Sequence, residues 1–325
     1  MDITFLITDT HFGVKQNSIT WLNSQLDFIY KQLIPKIQEE RNACPDSNIK
    51  LIHMGDVFDS RSSISTYVAA KVVEVFKDLS DIISVHIIAG NHDYYSPTSD
   101  SVNTLNLLLS DAYVHLHTKY VWQNPNSDGT YDLFIPWYKW GDNITQAFLD
   151  KGNIKNIFTH ADIVNEKLPH KNLKNVKVFS GHVHIPYIKN NLYNIGSCYS
   201  LDFADSNSLR GFYILRDGKL EFYPNEHSIK FWKLYNEDLL DIPTGIGDND
   251  YIEVYISQSN MINEKYQSII IKLVKKYNHI WIIPQPDTGE VPDIEQFEGY
   301  DIEKLTKTMI PKELNEKFDM VLKNV

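Results

Sequence analysis

The residues of this chain able to do chemistry sit in five short segments. They are Asp9-Thr10-His11, Gly55-Asp56, Gly90-Asn91-His92-Asp93, Thr159-His160 and Gly181-His182-Val183-His184. Carboxylate and amide oxygens with neutral imidazoles suit Mn, Fe, Zn or a similar divalent ion. In Asp-x-His and His-x-His the two side chains point the same way, because extended backbone repeats every two residues. A lone carboxylate such as Asp56 can bridge two ions. Two ions about 3.5–4 Å apart form a clamp used in phosphate ester hydrolysis. Small Gly55, Gly90 and Gly181 permit tight turns where backbone comes close to the ions. Singly, each piece has a plainer reading. Asp-x-His is more often a cap or turn, Gly-Asn-His-Asp suits a turn, and His-x-His suits a strand edge. The combination, in this order, points to a metal centre.

Each segment follows an apolar run that reads as a strand: Ile3–Thr8, Ile49–Met54, Ile83–Ala89, Ile154–Thr159 and Val176–Ser180. Ligands of open α/β sheets bind beyond the carboxyl ends of the strands, so five such loops would converge. Between the strands, Leu22, Leu26, Ile29, Tyr30, Leu33 and Ile37 recur at helical spacing, with Pro35 expected to kink or end that helix. Ile64–Leu79 and Val102–Leu109 also read as helices. Strand then helix, repeated, predicts an α/β fold over residues 1–225, with closer strands at Leu192–Ile195 and Gly211–Leu215. Residues 226–295 differ. A strand at Tyr251–Ser257, a helix at Met261–Tyr277 and a strand at Ile280–Ile283 predict a small β-α-β module. Pro284 to Gly299 reads as a linker. Residues 296–325 read as a C-terminal helical segment with an apolar stripe (Leu305, Met309, Leu314, Phe318, Val321, Leu322) that needs a surface to cover.

Composition narrows the classes. At 325 residues, 42% hydrophobic and 22% charged, the chain is ordinary for a folded protein with one large core and a smaller module. No apolar run approaches the ~18 residues of a membrane span. The opening residues lack a signal peptide's basic start and cleavage site, so the mature chain is expected to begin near Met1. Cys44 and Cys198 form no C-x-x-C pair, which disfavours a disulfide framework or thiolate zinc site and fits a reducing compartment. The net charge of −11 argues against overall attraction to nucleic acid. Lys151 to Lys177 holds six Lys against two acids, a candidate local basic surface.

The segments resemble the calcineurin-like metallophosphoesterase superfamily. In detail they are most similar to the SbcD/Mre-eleven family of DNA-repair nucleases, including recombination-nuclease subunits of tailed phages. The supporting blocks are Thr8-Asp9-Thr10-His11-Phe12-Gly13, Gly55-Asp56-Val57-Phe58-Asp59-Ser60-Arg61, Gly90-Asn91-His92-Asp93 and Gly181-His182-Val183-His184-Ile185-Pro186. A last block runs through Asn194-Ile195-Gly196-Ser197 and Leu201-Asp202-Phe203 to Arg210-Gly211-Phe212. Residues 1–225 carry the resemblance well and 226–300 weakly; over 226–295 it implies a DNA-facing cap domain. It implies a four-layer sandwich. It implies that Asp9, His11 and His184 hold one ion, that Asn91, His160 and His182 hold another, and that Asp56 bridges them. Manganese is the implied ion, with magnesium an alternative. His92 would protonate the leaving oxygen as hydroxide attacks phosphorus. Asp59 would orient His92, with Asp93 a rival for that role whose commoner fate is structural.

The implied substrate is DNA, cut exo- or endonucleolytically in repair or recombination. The implied partners are an SbcC/Rad-fifty-like coiled-coil ATPase, docked by the C-terminal segment, and a second copy of the chain, met through Ile64–Leu79 and Val102–Leu109. The implied location is intracellular: cytoplasm or nucleoid, or the host cytoplasm for a viral chain. Two rivals stand beside this. The first is a protein phosphatase or small-molecule phosphoesterase of the same superfamily, whose protein phosphatases read Gly-Asp-x-Val-Asp-Arg-Gly and Gly-Asn-His-Glu. Here Phe58, Ser60 and Asp93 depart from that wording. A non-catalytic scaffold would not need all seven ligands and His92. Lys265, Lys272, Lys275 and Lys276 on the cap helix could contact DNA phosphates, or could be a solvated face.

Overall fold

Strand alternation sorts the apolar residues of the first half onto two faces. In the computed structural model, which describes residues 2–119, 122–126, 128–137, 153–163, 176–206 and 208–287, the strand Asp2–Ile7 turns Ile3, Phe5 and Ile7 one way and Leu6 the other. Its sheet has six strands, in the order Lys219–Pro224, Gly211–Arg216, Asp2–Ile7, Asn48–His53, Ser84–Ile88, His115–His117. The last four are parallel, and Gly211–Arg216 closes the other side antiparallel. A second six-stranded sheet has the order Tyr187–Lys189, Leu192–Asn194, Lys177–Gly181, Ile154–His160, Tyr131–Ile135, Trp122–Pro125. Its four inner strands are parallel too.

The sheets meet face to face. Leu6, Ile52, Met54 and Ile88 of the first pack on Phe134, Phe158 and Phe179 of the second. Those phenylalanines form a stacked row with Tyr193, at centroid spacings of 5.5, 5.3 and 5.0 Å. The outer face of the first sheet is covered by two helical segments. Thr66–Ile82 buries Val68, Val72, Val75, Phe76 and Leu79, and is capped by Ser65, whose hydroxyl accepts the Val68 N–H. The stretch Ile19–Ala43 buries Leu22, Phe28, Ile29, Leu33 and Ile37. Pro35 does not end it. The turn Ile29–Leu33 is π-helical and the Ile34 N–H reaches back five residues to Ile29 O, so the chain remains helical past the proline's missing donor. Val102–Leu109 is helical only from Thr104, because Ser99–Asn103 pairs as a strand.

The mixed α/β fold expected from sequence is the one observed, with helix, sheet and sheet as described layers. Most of the lysine-rich stretch from 151 to 177 lies outside the described residues. Of its described lysines, Lys155 pairs with Asp128 and Lys177 donates to Gly218 O.

A third, three-stranded sheet joins Phe231–Leu234, Tyr251–Ser257 and His279–Gln285, all parallel. The helix Glu264–Lys276 covers one of its faces, burying Leu273 against Ile252, Val254 and Ile256. The β-α-β pattern is therefore present, with an added strand at Phe231–Leu234. Trp21 joins this sheet to the body: its indole N–H donates to Tyr251 Oη at 3.1 Å, and it packs with Phe231 and Ile229. The C-terminal helical segment, 296–325, lies outside the described residues.

Candidate metal centre

All five segments lie at carboxyl ends of parallel strands, three from the first sheet and two from the second. The loops lock together through main chain. Asp9 N–H donates to Gly55 O at 2.9 Å, His11 N–H to Asp56 O at 3.1 Å, and Phe12 N–H to Val57 O at 2.8 Å. Asp9, His11, Asp56 and His182 all have positive φ, at 51°, 44°, 52° and 80°. Such conformations cost of the order of 1–3 kcal/mol each and persist where surroundings over-determine them. Gly55 shows why the close approach needs glycine: its φ is 98°, and a Cβ there would lie 2.5 Å from His160 Nδ1.

One donor group is Asp9, His11 and His184. Thr8 Oγ1 and the His182 N–H donate to Asp9 Oδ2 at 2.7 and 3.1 Å. Asp9 Oδ1 is buried with no hydrogen-bond partner. It stands 3.7 Å from His11 Nε2 and 3.7 Å from His184 Nε2, and those nitrogens are 3.3 Å apart. A point equidistant from the three atoms lies about 2.1 Å from each, the usual distance from N and O donors to a transition-metal ion. A buried, otherwise unsatisfied carboxylate oxygen facing two imidazole nitrogens fits a bound cation.

The second group is Asp56, His160 and His182. Asn91 Oδ1 joins it, 3.0 Å from His160 Nε2 and 2.8 Å from His182 Nδ1. Asp56 Oδ2 lies 3.3 Å from His160 Nε2 and 3.8 Å from His11 Nε2, so it is shared between the two groups. His160 Nδ1 is 2.7 Å from Met54 O. That bond assigns the proton to Nδ1 and leaves the Nε2 lone pair for an ion.

His92 stands beside both groups. A ring nitrogen of His92 is within 4.8 Å of donors from His11 and Asp56. Its main-chain N–H donates to Asp56 Oδ1 at 2.8 Å, and its ring Nδ1 donates to the main-chain carbonyl of Asp59 at 2.5 Å. The Asp59 carboxylate turns instead to His11 Nδ1, 3.4 Å away. The contact between Asp59 and His92 thus runs through backbone, not through the carboxyl group. Asp93 is fully buried and accepts four main-chain N–H groups, from Asp56, Val57, Phe58 and Gly90, at 3.0, 3.1, 3.3 and 2.8 Å. It ties the Asp56 loop to the Asn91 loop. Asp93→Ala would leave those donors buried without acceptors and is expected to cost about 3 kcal/mol or more. Urea unfolding with metal analysis checks this: both the midpoint and the ion content should fall, and a wild-type midpoint would contradict it.

Several supports carry no sequence signature of their own. Arg210 donates to the main-chain carbonyl of His184 and, at 2.6 Å, to Asp205 Oδ1. Asn194 donates to the carbonyls of Val183 and Ile185 at 2.6 and 2.9 Å. Both hold the His182–His184 loop. Asn194 and Arg210 belong to the last of the family-like blocks, which was the available signal.

Charge is balanced inside the cluster. Burial opposes ionisation of Asp9, yet His160, His11 and His184 hold it at about 2; Asp56 is held low by His160 and His11 against the same burial. Burial likewise opposes charge on His11 and His160, but Asp59 and Asp9 raise the first to about 10, and Asp56 and Asp9 raise the second to about 9. Burial lowers His182 and His184. The ion-free site therefore stores protons on His11 and His160 at neutral pH, and a divalent ion must displace them. Affinity for Mn2+ is expected to fall as pH drops from about 8 to 6, with protons released on binding. Calorimetric titration in buffers of differing ionisation enthalpy measures this. A pH-independent affinity would contradict it.

The family description "calcineurin-like phosphoesterase" matches residues 4–221. The chain belongs to this family. Calcineurin-like phosphoesterases use divalent metals, and the two donor groups supply places for them. Exonuclease subunit 1 of Enterobacteria phage T4 is 27% identical over 239 residues, which cover 67% of this chain and 66% of that relative. The chain thus spans just under two thirds of that protein's length. Among solved structures, nuclease MPE of Pseudomonas putida matches with a TM-score of 0.29 and 16% identity, over 68% of this chain and 87% of the other. The calcineurin-like phosphoesterase YfkN of Bacillus subtilis matches with a TM-score of 0.34 and 12% identity, over 68% and 88%. Among the described residues no helix is long and apolar enough to cross a membrane.

Proposed function

We propose that this calcineurin-like phosphoesterase is a two-metal DNA phosphodiesterase. The observation that carries the reading is Asp56 Oδ2, shared between His11 Nε2 and His160 Nε2 at 3.8 and 3.3 Å. A carboxylate so placed defines two adjoining cation sites. Asp9, His11 and His184 hold one ion; Asn91, His160 and His182 hold the other. When bound, the pair of ions supplies an activated water and neutralises phosphoryl oxygens. Manganese is the expected ion, with magnesium the alternative.

The chain's own residues do the rest. Asp56 Oδ1 and the Asp59 carbonyl fix His92 from its main-chain and ring sides. With Nδ1 engaged, Nε2 is the ring atom left to give a proton to the leaving sugar oxygen. The loops are locked by Asp93, so the ligand geometry needs little rearrangement as the reaction proceeds.

Nucleic acid as substrate is supported by the wording around the ligands, chiefly Val57-Phe58-Asp59 and Asp93, and by the T4 exonuclease subunit. The role is in DNA repair or recombination, beside an SbcC/Rad-fifty-like ATPase. A homodimer would cover exposed Tyr67, Val102 and Leu107, which lie on or near the two helices expected to meet a second copy. In this reading residues 226–295 are a cap domain facing the DNA.

Hydrolysis of end-labelled duplex and hairpin DNA with Mn2+ or Mg2+, beside a phosphomonoester, tests the substrate. Cleavage of the DNA is expected. Cleavage of the monoester alone would replace this reading with a phosphomonoesterase.

A further inference from the structure

The third sheet carries a face that the helix does not cover. Register places Phe231, Tyr251 and His279 side by side, and Lys233, Glu253 and Trp281 beside one another in the next row. Tyr255 follows on the central strand, and Tyr235 lies just past the end of the first strand. The alternate residues, Ile252, Val254, Ile256, Ile280 and Ile282, face the helix Glu264–Lys276. The lysines of that helix are thus on the other side of the sheet.

The rings on the uncovered face lie nearly parallel. Phe231 and Tyr251 stack at 4.9 Å and 27°, Tyr251 and His279 at 4.4 Å and 8°, and Tyr251 and Trp281 at 5.8 Å and 18°. Tyr235 and Tyr255 make a second pair at 5.2 Å and 20°. One end of the row is closed: Phe231 is buried against Trp21. The other end is open. Trp281 is on the edge strand and 47% exposed, and Tyr235 is also 47% exposed. Phe203 meets Trp281 edge-on at 5.9 Å, which fixes the indole plane.

Two features relate this row to the metal centre. Lys15 Nζ lies 5.8 Å from the Phe231 and Tyr251 ring centroids. Lys15 is four residues beyond His11, a span of at most about 14 Å of extended chain. Lys15 therefore flanks the rings, and Lys233 stands on the same face of the sheet, one row along from Phe231. The acid in register, Glu253, is engaged by the Tyr255 hydroxyl at 2.7 Å.

We propose that Trp281 and the ring row behind it stack an unpaired nucleobase of the strand whose phosphate enters the metal centre. A base is a flat π-system that adds to such a row as a further ring, with Lys15 and Lys233 near its phosphates. An aliphatic protein surface would bury apolar area there but has no need of rings held parallel. The inference rests on the phosphodiesterase reading for its substrate, and it adds a preference for single-stranded or frayed ends.

The test is fluorescence anisotropy of the full chain in EDTA with a labelled single-stranded oligonucleotide and an abasic strand of equal length. Wild type should favour the base-bearing strand. Trp281→Ala should bind that strand roughly tenfold more weakly and the abasic strand as before. Trp281→Phe should restore most of the difference, which separates stacking from misfolding. Equal binding of the base-bearing strand by wild type and Trp281→Ala would overturn the proposal. So would an effect of Trp281→Ala confined to self-association, which would assign the face to a protein contact. Because binding is read without metal or turnover, loss of the stacking preference in a chain that still cleaves DNA refutes the stacking alone. A chain that discriminates the strands but cleaves no diester refutes the catalytic reading alone.

Discussion

Asp56→Asn is expected to reduce bound metal from two ions per chain to at most one and to lower turnover by about 10³-fold or more. The side chain is nearly isosteric, so packing is not the cause. Asp56 is almost completely buried, and each of its oxygens has a separate task. Oδ2 is shared by the two donor groups, and Oδ1 accepts the His92 N–H. An amide cannot supply two anionic oxygens, and its NH2 would repel one of those partners. His160 would also lose the carboxylate that does most to support its proton. Plasma mass spectrometry of the purified variant, beside steady-state hydrolysis, reads both effects. Retention of two ions with near-normal turnover would remove Asp56 from the bridge.

His92→Asn is expected to lower turnover by about 10²–10⁴-fold while metal content stays at the wild-type level. The loss should depend on the leaving group. A sugar alkoxide needs a proton as it departs, whereas a nitrophenolate does not. The variant should therefore fall furthest on DNA and least on a nitrophenyl diester. An equal loss on both would exclude an acid role. A drop in metal content would instead make His92 a ligand, which its nitrogen is close enough to be. Asp59 makes a useful contrast. Its carboxylate faces His11, and its backbone carbonyl holds His92, so truncating the side chain leaves the His92 bond intact.

The parts of this site that were legible in sequence are those coded locally. Asp-x-His, Gly-Asn-His-Asp and His-x-His each fit within four residues at the end of an apolar run, and short-range rules read such patterns directly. The seven proposed ligands come together because the strands before them run parallel. The supports are different. Arg210 reaches His184 across 26 residues, and Asp93 reaches Val57 across 36. No local spacing announces either contact. The carboxylate of Asp59 and its main chain also serve different partners, a distinction that a residue letter does not carry. In the fold, Tyr131–Ile135 and Phe231–Leu234 are short strands whose apolar runs resemble many loops. They gain their identity from pairing with Ile154–His160 and Tyr251–Ser257. Pro35 does not end the helix, because the π-turn Ile29–Leu33 accommodates its missing donor, and no local spacing announces that turn.

The proposed dinuclear centre is tested most directly by anomalous diffraction from crystals soaked in Mn2+. Two peaks are expected, about 3.5–4 Å apart, with Asp56 between them. One should lie against Asp9, His11 and His184, and the other against Asn91, His160 and His182. A single peak at full occupancy, or two peaks that Asp56 does not touch, would contradict it.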